Sequence, residues 1–162
     1  MKLGKEDVRG SFWKTTFKNG DMVQVVGLRQ KSFFNAIAVL SEDNRVIWMQ
    51  PHCERGIAER KKYLFRNSVI YVVVIFLVAT ILFIDQSMEF WFYFAVASFV
   101  AVISLLITVG MSWKDLMIFA RRMTDVGAAL RIDSPEKINL PRTTKDKIKN
   151  GMPELPMGVY YF

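Results

Sequence analysis

Two long stretches without a charged residue stand out in the pattern of hydrophobic and polar positions. They cover residues 67–84 and 90–113, and a short acidic link, residues 85–89, separates them. A helix needs roughly 20 residues to cross the apolar core of a bilayer, which is about 30 Å thick. A helix lying on a soluble core would carry a polar face, and residues 69–84 show none. The pattern therefore predicts two transmembrane helices rather than the buried hairpin of a soluble protein.

Basic residues flank this hairpin on both outer sides, whereas the link contains none. The basic residues nearest to the two apolar stretches are Arg60, Lys61, Lys62, Arg66, Lys114, Arg121 and Arg122. We interpret them as topology signals that face lipid headgroups. Charged side chains are costly at the bilayer centre, so the link is expected to reach the far water interface. The positive-inside rule then predicts two antiparallel spans with both termini in the cytoplasm.

Residues 1–56 alternate short apolar runs with turn signals and predict a small cytoplasmic β domain. The predicted strands are Val8–Phe17, Met22–Val26, Phe33–Leu40 and Arg45–Gln50. The pair Asn19-Gly20 marks the first turn, and residues 27–32 are read as a polar connection. We expect a small antiparallel sheet or a partial barrel, marginal in stability on its own. Residues 57–66 predict a basic juxtamembrane helix.

Residues 114–162 predict a cytoplasmic amphipathic helix followed by an extended tail. The second transmembrane helix is expected to run on past Trp113, because no Gly or Pro interrupts it there, and to end before Pro135. Prolines around the basic stretch 142–149 predict no further long helix. The strand-forming residues Val159–Tyr161 predict a strand that pairs with the N-terminal sheet. The predicted fold class is thus an α+β membrane protein.

The second apolar stretch carries a stripe of small side chains at the spacing of one helix face. The stripe consists of Ala97, Ala101, Ser104 and Thr108. Small residues let helices approach closely in lipid, where packing drives association. We predict a packing face, either against the first helix or against another protomer. Since neither stretch contains Asp, Glu, Lys, Arg or His, a conducting path would be lined by hydroxyl groups, backbone or lipid.

Few side chains are available for chemistry. The chain has one histidine, His52, and one cysteine, Cys53, which excludes a disulfide scaffold and a Cys/His zinc shell. Adjacent side chains of an extended segment point to opposite sides, which is poor geometry for a base to activate its neighbour. We therefore predict no enzyme activity, no cofactor and no metal. The net charge of +7 is not accompanied by a nucleic-acid-binding motif, so no nucleic-acid partner is predicted.

Four segments of the chain together resemble a known protein family. They are Val8–Phe17 with Asn19–Asp21, Ile47–Gly56, Ile138–Lys145 and Gly158–Phe162. In order, and around the same hairpin, they resemble small two-helix bacterial inner-membrane proteins that are labelled type VI secretion system effectors. The resemblance implies a Gram-negative bacterium, the inner membrane and a periplasmic link, and it carries over no catalytic residue. Family members have a longer segment before the position of Val8, so it also implies a short or truncated form.

Three functional hypotheses follow. The first is an effector that inserts into the inner membrane of a target cell and permeabilises it, with the bilayer, copies of itself, secretion components or an immunity protein as partners. The second is a resident inner-membrane accessory, adaptor or immunity protein that binds a partner through its cytoplasmic β domain. The third, ranked last, is an enzyme that uses His52 and Cys53.

Overall fold

A computed structural model describes residues 2–3, 6–18, 20–83 and 90–162 of the chain. It divides into two compact units. The first, which we call the sheet unit, comprises Met1–Glu59 together with Ile118–Phe162. The second, the helical unit, comprises Arg60–Met117. The N-terminal strands and the C-terminal tail therefore belong to one compact unit, although the apolar stretches separate them in sequence.

The described residues form an α+β fold in which five strands precede the helices and one strand follows them. The strands are β1 Lys2–Leu3, β2 Glu6–Arg9, β3 Gln24–Arg29, β4 Phe34–Ser41, β5 Val46–Met49 and β6 Val159–Tyr161. The helices are α1 Ile57–Phe83, α2 Phe90–Ala129 and α3 Leu140–Lys149, with a 3-10 turn at Pro135–Lys137. As predicted, α2 continues past Trp113 and ends before Pro135. The link predicted at 85–89 lies outside the described residues.

The sheet is mixed, and β4 is its central strand. One edge of β4 pairs antiparallel with β3. Its other edge is shared, because β2 pairs parallel with Phe34 and Asn35 while β5 pairs antiparallel with Ala38–Ser41. The predicted small sheet is therefore confirmed, whereas its predicted antiparallel pairing is wrong for β2. Among the described strands the pairing runs in an open order from β1 through β2, β4 and β5 to β6.

The segment that follows β2 is not the strand predicted at Val8–Phe17. Strand β2 ends at Arg9, and the described residues from 10 to 18 lie outside the sheet. Their aromatic side chains cover the sheet instead, since the Phe17 ring lies 5.2 Å from the Trp48 ring at 87°. The Trp48 Nε1–H also donates a hydrogen bond to Thr16 Oγ1 over 3.2 Å. Packing of the half-buried Phe12 and Phe17 rings against this face of the sheet overrides their preference for strands.

Strand β3 extends through part of the predicted connection 27–29. It does so with a register shift between Val26 and Gly27, the mark of a β-bulge. A Cβ at Gly27 would lie 2.0 Å from the carbonyl oxygen of Asn35, so only glycine fits this position. The extra residue of this shift is Ile37 of β4, and Gly27, which was predicted to belong to a connection, lets β3 approach the β4 backbone beside it.

Both faces of the sheet are covered, which explains the continuous burial of β5. On one face, Ile47 and Met49 join a core cluster with Met123 and Val126 of α2 and Leu140 of α3. On the other face, Val46 and Trp48 join a second cluster with strand β6 and the aromatic segment before β3. A strand covered on both faces loses the apolar–polar alternation of a half-exposed strand.

The C-terminal tail completes the sheet. Strand β6 pairs antiparallel with β5, with Tyr161 opposite Val46 and Val159 opposite Trp48, which confirms the predicted pairing of the tail. The prediction of no further long helix was wrong for residues 140–149, which form α3. Proline is tolerated in the first turn of a helix, where its missing N–H would have no partner in any case, so Pro141 starts this helix rather than preventing it.

Candidate functional site

Helices α1 and α2 each contain a segment that is long and apolar enough to cross a membrane. These segments are Ile57–Ile81 and Trp91–Met111. Only 11% and 12% of the residues in their most apolar windows are buried. A helix in the core of a soluble protein would bury most of its apolar side chains. The described chain therefore leaves most of the residues in these two windows unburied.

A polar contact joins the two helices near the end of α1 and the start of α2. The Tyr93 hydroxyl donates to Thr80 Oγ1 over 2.6 Å, and the Thr80 hydroxyl donates to the carbonyl oxygen of Phe76 over 2.8 Å. The rings of Phe76 and Phe94 pack edge to face beside it, with centroids 6.1 Å apart. The hydroxyl groups thus find partners inside the hairpin. These contacts are those of an antiparallel pair of helices.

The small-residue stripe lies on the shielded side of α2. Ala97 and Ala101 are each 5% exposed, and Ser104 is half-buried. Their larger neighbours point outward, for example Phe99, which is 66% exposed. The side chain of Thr108 lies outside the described residues. Because Ala97 and Ala101 are already buried in a single chain, the burial favours packing within the hairpin over packing against another protomer.

The predicted basic residues differ in their surroundings. Lys61, Lys62, Arg66, Lys114 and Arg121 are exposed. Arg60 is buried, at 3% exposure, and Arg122 is half-buried with its guanidinium 5.8 Å from the centre of the Phe119 ring. Five of the seven side chains are therefore exposed, whereas that of Arg60 is enclosed by the chain.

His52 and Cys53 lie in opposite environments. His52 is exposed, has a backbone φ of 67°, and places its ring 5.6 Å from that of Phe119. Cys53 is fully buried in the first core cluster. A thiol enclosed in an apolar core is inaccessible to a substrate. Among the described residues, no group of three or more His, Cys, Asp or Glu side chains could hold a metal ion.

Three segments of the sheet unit form a structure that we call the clasp: residues 54–59, 120–127 and 135–140. The backbone N–H of Ile57, at the start of α1, donates to Thr124 Oγ1 on α2 over 3.2 Å. The Thr124 hydroxyl in turn donates to the carbonyl oxygen of Ala120 over 3.0 Å. A side chain of α2 thus satisfies an N–H group that the first turn of α1 leaves without a helical partner.

The third segment of the clasp binds the first through backbone pairing. The N–H of Gly56 donates to the carbonyl oxygen of Ile138 over 2.9 Å, and the N–H of Leu140 donates to that of Glu54 over 3.1 Å. A Cβ at Gly56 would lie 2.4 Å from the carbonyl oxygen of Pro135. The chain can approach this closely only because residue 56 has no side chain.

Asn139 connects the clasp to α3. Its Oδ1 accepts a hydrogen bond from the N–H of Arg142, which caps α3, and its Nδ2 donates to Glu59 Oε2 over 3.1 Å. The role of Asn139 was not predicted from the sequence. An Asn followed two residues later by Pro is a helix-start signal, and it would have located α3. No sequence signal points to the contact with Glu59, which is 80 residues away.

No family model, curated protein or solved structure matches the chain.

Proposed function

We propose that the chain is an integral protein of the bacterial inner membrane, inserted by the α1–α2 hairpin. The low burial of the two apolar segments carries this proposal. Large side chains project from both helices, among them Leu77, Ile81 and Leu106, which are 55%, 73% and 66% exposed. Exposed apolar patches of this kind mark membrane or protein contacts, and lipid covers every side of a hairpin at once.

The proposed orientation places the sheet unit in the cytoplasm and the link between the helices in the periplasm. Exposed Lys61, Lys62, Arg66 and Lys114 on the outer sides of the apolar segments support it. An exposed reporter is needed to test it, because buried Cys53 would react slowly from either side. A cysteine placed at exposed Asn150 should react with an impermeant thiol reagent only after the inner membrane is opened. Labelling in intact spheroplasts would overturn this orientation.

The activity that we propose is permeabilisation of the membrane by a type VI secretion effector. The resemblance and the hairpin support it. Within one hairpin, the hydroxyls of Tyr93 and Thr80 already have partners, so a single copy offers them to neither ions nor water. A conducting state would therefore require the hairpin to rearrange or several copies to associate.

Inducible expression in a sensitive bacterium with a membrane-potential dye tests this activity. Replacing Ala101 and Ser104 by Leu should abolish depolarisation, since bulky groups would separate the helices. The matched control replaces Val100 and Val102 by Leu; their side chains are 46% and 54% exposed, so depolarisation should persist. It should also persist in a His52→Ala variant. Loss of depolarisation in the His52 variant, at normal membrane levels, would favour the enzyme hypothesis instead.

A resident accessory, adaptor or immunity protein is the second candidate. The observation that favours it is the sheet unit, in which both faces of the sheet are covered by packed clusters. A membrane anchor alone does not need such a fold, whereas a protein that presents a surface to a partner does. Absence of depolarisation by the unmutated protein would favour this candidate, and an adjacent immunity gene would favour the effector.

A further inference from the structure

Helix α3 has two faces with different properties. Its inner face is fixed to the sheet unit, since Leu140 and Thr144 are 3% and 9% exposed and Thr144 Oγ1 accepts a hydrogen bond from the N–H of Tyr161. The Lys147 ammonium group also donates to the carbonyl oxygen of Phe162 over 2.8 Å. The apolar side of this amphipathic helix is thus already used by the protein itself.

The outer face of α3 is basic. Arg142, Lys145 and Lys149 are exposed and fall at i, i+3 and i+7, on one side of the helix. Asp146 is the only acidic residue of α3. Its Oδ2 lies 4.0 Å from Arg142 Nε, and both side chains are more than half exposed, so this ion pair neutralises the face only weakly.

We propose that this outer face of α3 binds anionic phospholipid headgroups at the surface of the membrane that the hairpin enters, an inference that rests on the proposed membrane location. Because the apolar face of α3 is buried, the helix cannot insert and can bind only through charge. Each Lys or Arg near an anionic surface multiplies the binding constant by about five. Three such residues on a rigid helix provide an attraction that salt should screen.

The composition of the face argues against nucleic acid as its ligand. The ten residues of α3 include no aromatic side chain on which a base could stack, so nucleic acid would have to bind this face through its phosphates or through Arg and Lys contacts to base edges alone. A lipid surface requires no stacking, since it offers a dense layer of phosphates to any exposed cation. The bilayer is also permanently close to a protein that is inserted in it.

The full chain in lipid nanodiscs allows a direct test. A fluorophore on a cysteine at Asn150 reports on α3 and leaves every basic residue in place; the parent chain controls for labelling of buried Cys53. The discs contain phosphatidylcholine with a nitroxide on some headgroups, with or without phosphatidylglycerol. We expect the nitroxide to quench the fluorophore more strongly in discs with phosphatidylglycerol than in neutral discs. This additional quenching should disappear near 1 M salt, where the screening length is about 3 Å.

Two triple variants identify the surface. Changing Arg142, Lys145 and Lys149 to Gln should weaken the anionic-lipid contact by roughly 30- to 150-fold, the lower value allowing for the partial pairing of Arg142. The matched control changes Lys14, Arg29 and Lys31 to Gln. These are exposed cations of the same unit, and Arg29 pairs with exposed Glu6 much as Arg142 pairs with Asp146. The control should retain the contact, and Asp146→Asn should strengthen it.

The possible outcomes separate this inference from the proposed membrane location. A chain that does not co-elute with discs contradicts the location itself. A chain that enters the discs but shows equal quenching in neutral and anionic lipid overturns the inference alone, as does equal loss of quenching in the two triple variants. Binding of a short RNA by the unmutated α3 face, without lipid-dependent quenching, would overturn it in favour of nucleic acid.

Discussion

Substitution of Gly56 by alanine would place a methyl group inside the closest backbone contact of the clasp. The added Cβ would lie 2.4 Å from the carbonyl oxygen of Pro135, and 2.7 and 2.8 Å from the carbonyl oxygen and carbon of Glu136. All three are backbone atoms, so no side-chain rotation can relieve the overlap. The 3-10 turn would have to move away from residue 56 by a large fraction of an ångström.

That movement determines the size of the effect. It would lengthen the hydrogen bonds from Gly56 to Ile138 and from Leu140 to Glu54, now 2.9 and 3.1 Å. Overpacking costs about 1–3 kcal/mol, and each weakened hydrogen bond adds up to about 1 kcal/mol, so we expect a loss of about 2–4 kcal/mol. For a unit of this size, that corresponds to a melting temperature lower by roughly 10–30 °C.

Cys53 provides the assay. It is the only cysteine of the chain and is fully buried in the core of the sheet unit, so a fluorogenic thiol dye reports when that core opens on heating in detergent. Gly110→Ala is the matched control, because its Cβ would meet no atom within 4 Å, and it should melt at or slightly above the temperature of the parent, since alanine also favours this helix. In Gly127→Ala the Cβ would meet the Ile138 Cδ1 tip at 2.5 Å and the Pro135 Cβ at 2.8 Å. We expect a smaller loss there, because that tip can rotate and alanine favours the helix by about 1 kcal/mol. If the melting temperature of Gly56→Ala equalled that of the parent within error, the clasp would not contribute to the stability of the sheet unit.

Three further changes test other contacts. Deleting residues 158–162 removes β6 and should expose Cys53 to the dye at a clearly lower temperature, since β5 loses a neighbour; an unchanged curve would contradict the role of β6. Asn139→Ala removes both the cap of α3 and the hydrogen bond to Glu59 and should cost about 1–2 kcal/mol in the same assay, whereas Asn139→Ser, which retains a capping oxygen without adding a charge beside Glu59, should cost less. Tyr93→Phe removes the hydrogen bond to Thr80 and should lower the free energy of unfolding of the hairpin by only about 0.6 kcal/mol. Loss of helix in denaturing detergent, measured by circular dichroism, checks this value. Complete loss of helix in the Tyr93→Phe variant would contradict this expectation, because the hydrogen bond to Thr80 would then contribute far more than about 0.6 kcal/mol.

Features that depend on local chemistry could be predicted from the sequence. The absence of charge over two long stretches indicates two long apolar helices, although both extend beyond these stretches, α1 beginning at Ile57 and α2 ending at Ala129. The strand-forming residues at 159–161 predicted β6 for a similar reason, as a polar tail rarely ends in such residues without a sheet to join. Both signals lie within a few consecutive residues.

Features that depend on distant contacts could not be predicted. The aromatic residues after Arg9 match a strand locally, and they leave the sheet only because Trp48 and its neighbours offer a surface to cover. The parallel pairing of β2 follows from that detour. The clasp could not be predicted either, because the close contact between Gly56 and the 3-10 turn at Pro135–Lys137 joins residues about 80 positions apart.

The sheet unit also has an order of assembly that its connectivity imposes. Its core needs Met123, Val126 and Leu140, which are made only after both apolar segments and are 0%, 1% and 3% exposed. Burial of each such side chain contributes about 1.5–3 kcal/mol, a sum comparable to the 5–15 kcal/mol by which a whole domain is stable. The hairpin must therefore be synthesised before the sheet unit can close, and under the proposed membrane location it would also be inserted first.

A chain that stops after Met117 tests this order. It retains every residue of the helical unit and the strands up to β5, but it lacks the helical cover of the first core cluster and the partner strand of β5. We expect it to reach the membrane fraction like the full chain, because both apolar segments are present. Its Cys53 should react with the thiol dye without heating, at a rate close to that of an unfolded thiol. Protection of Cys53 equal to that in the full chain would mean that residues 1–59 close a core by themselves, and the sheet unit would then not depend on the residues made after the hairpin.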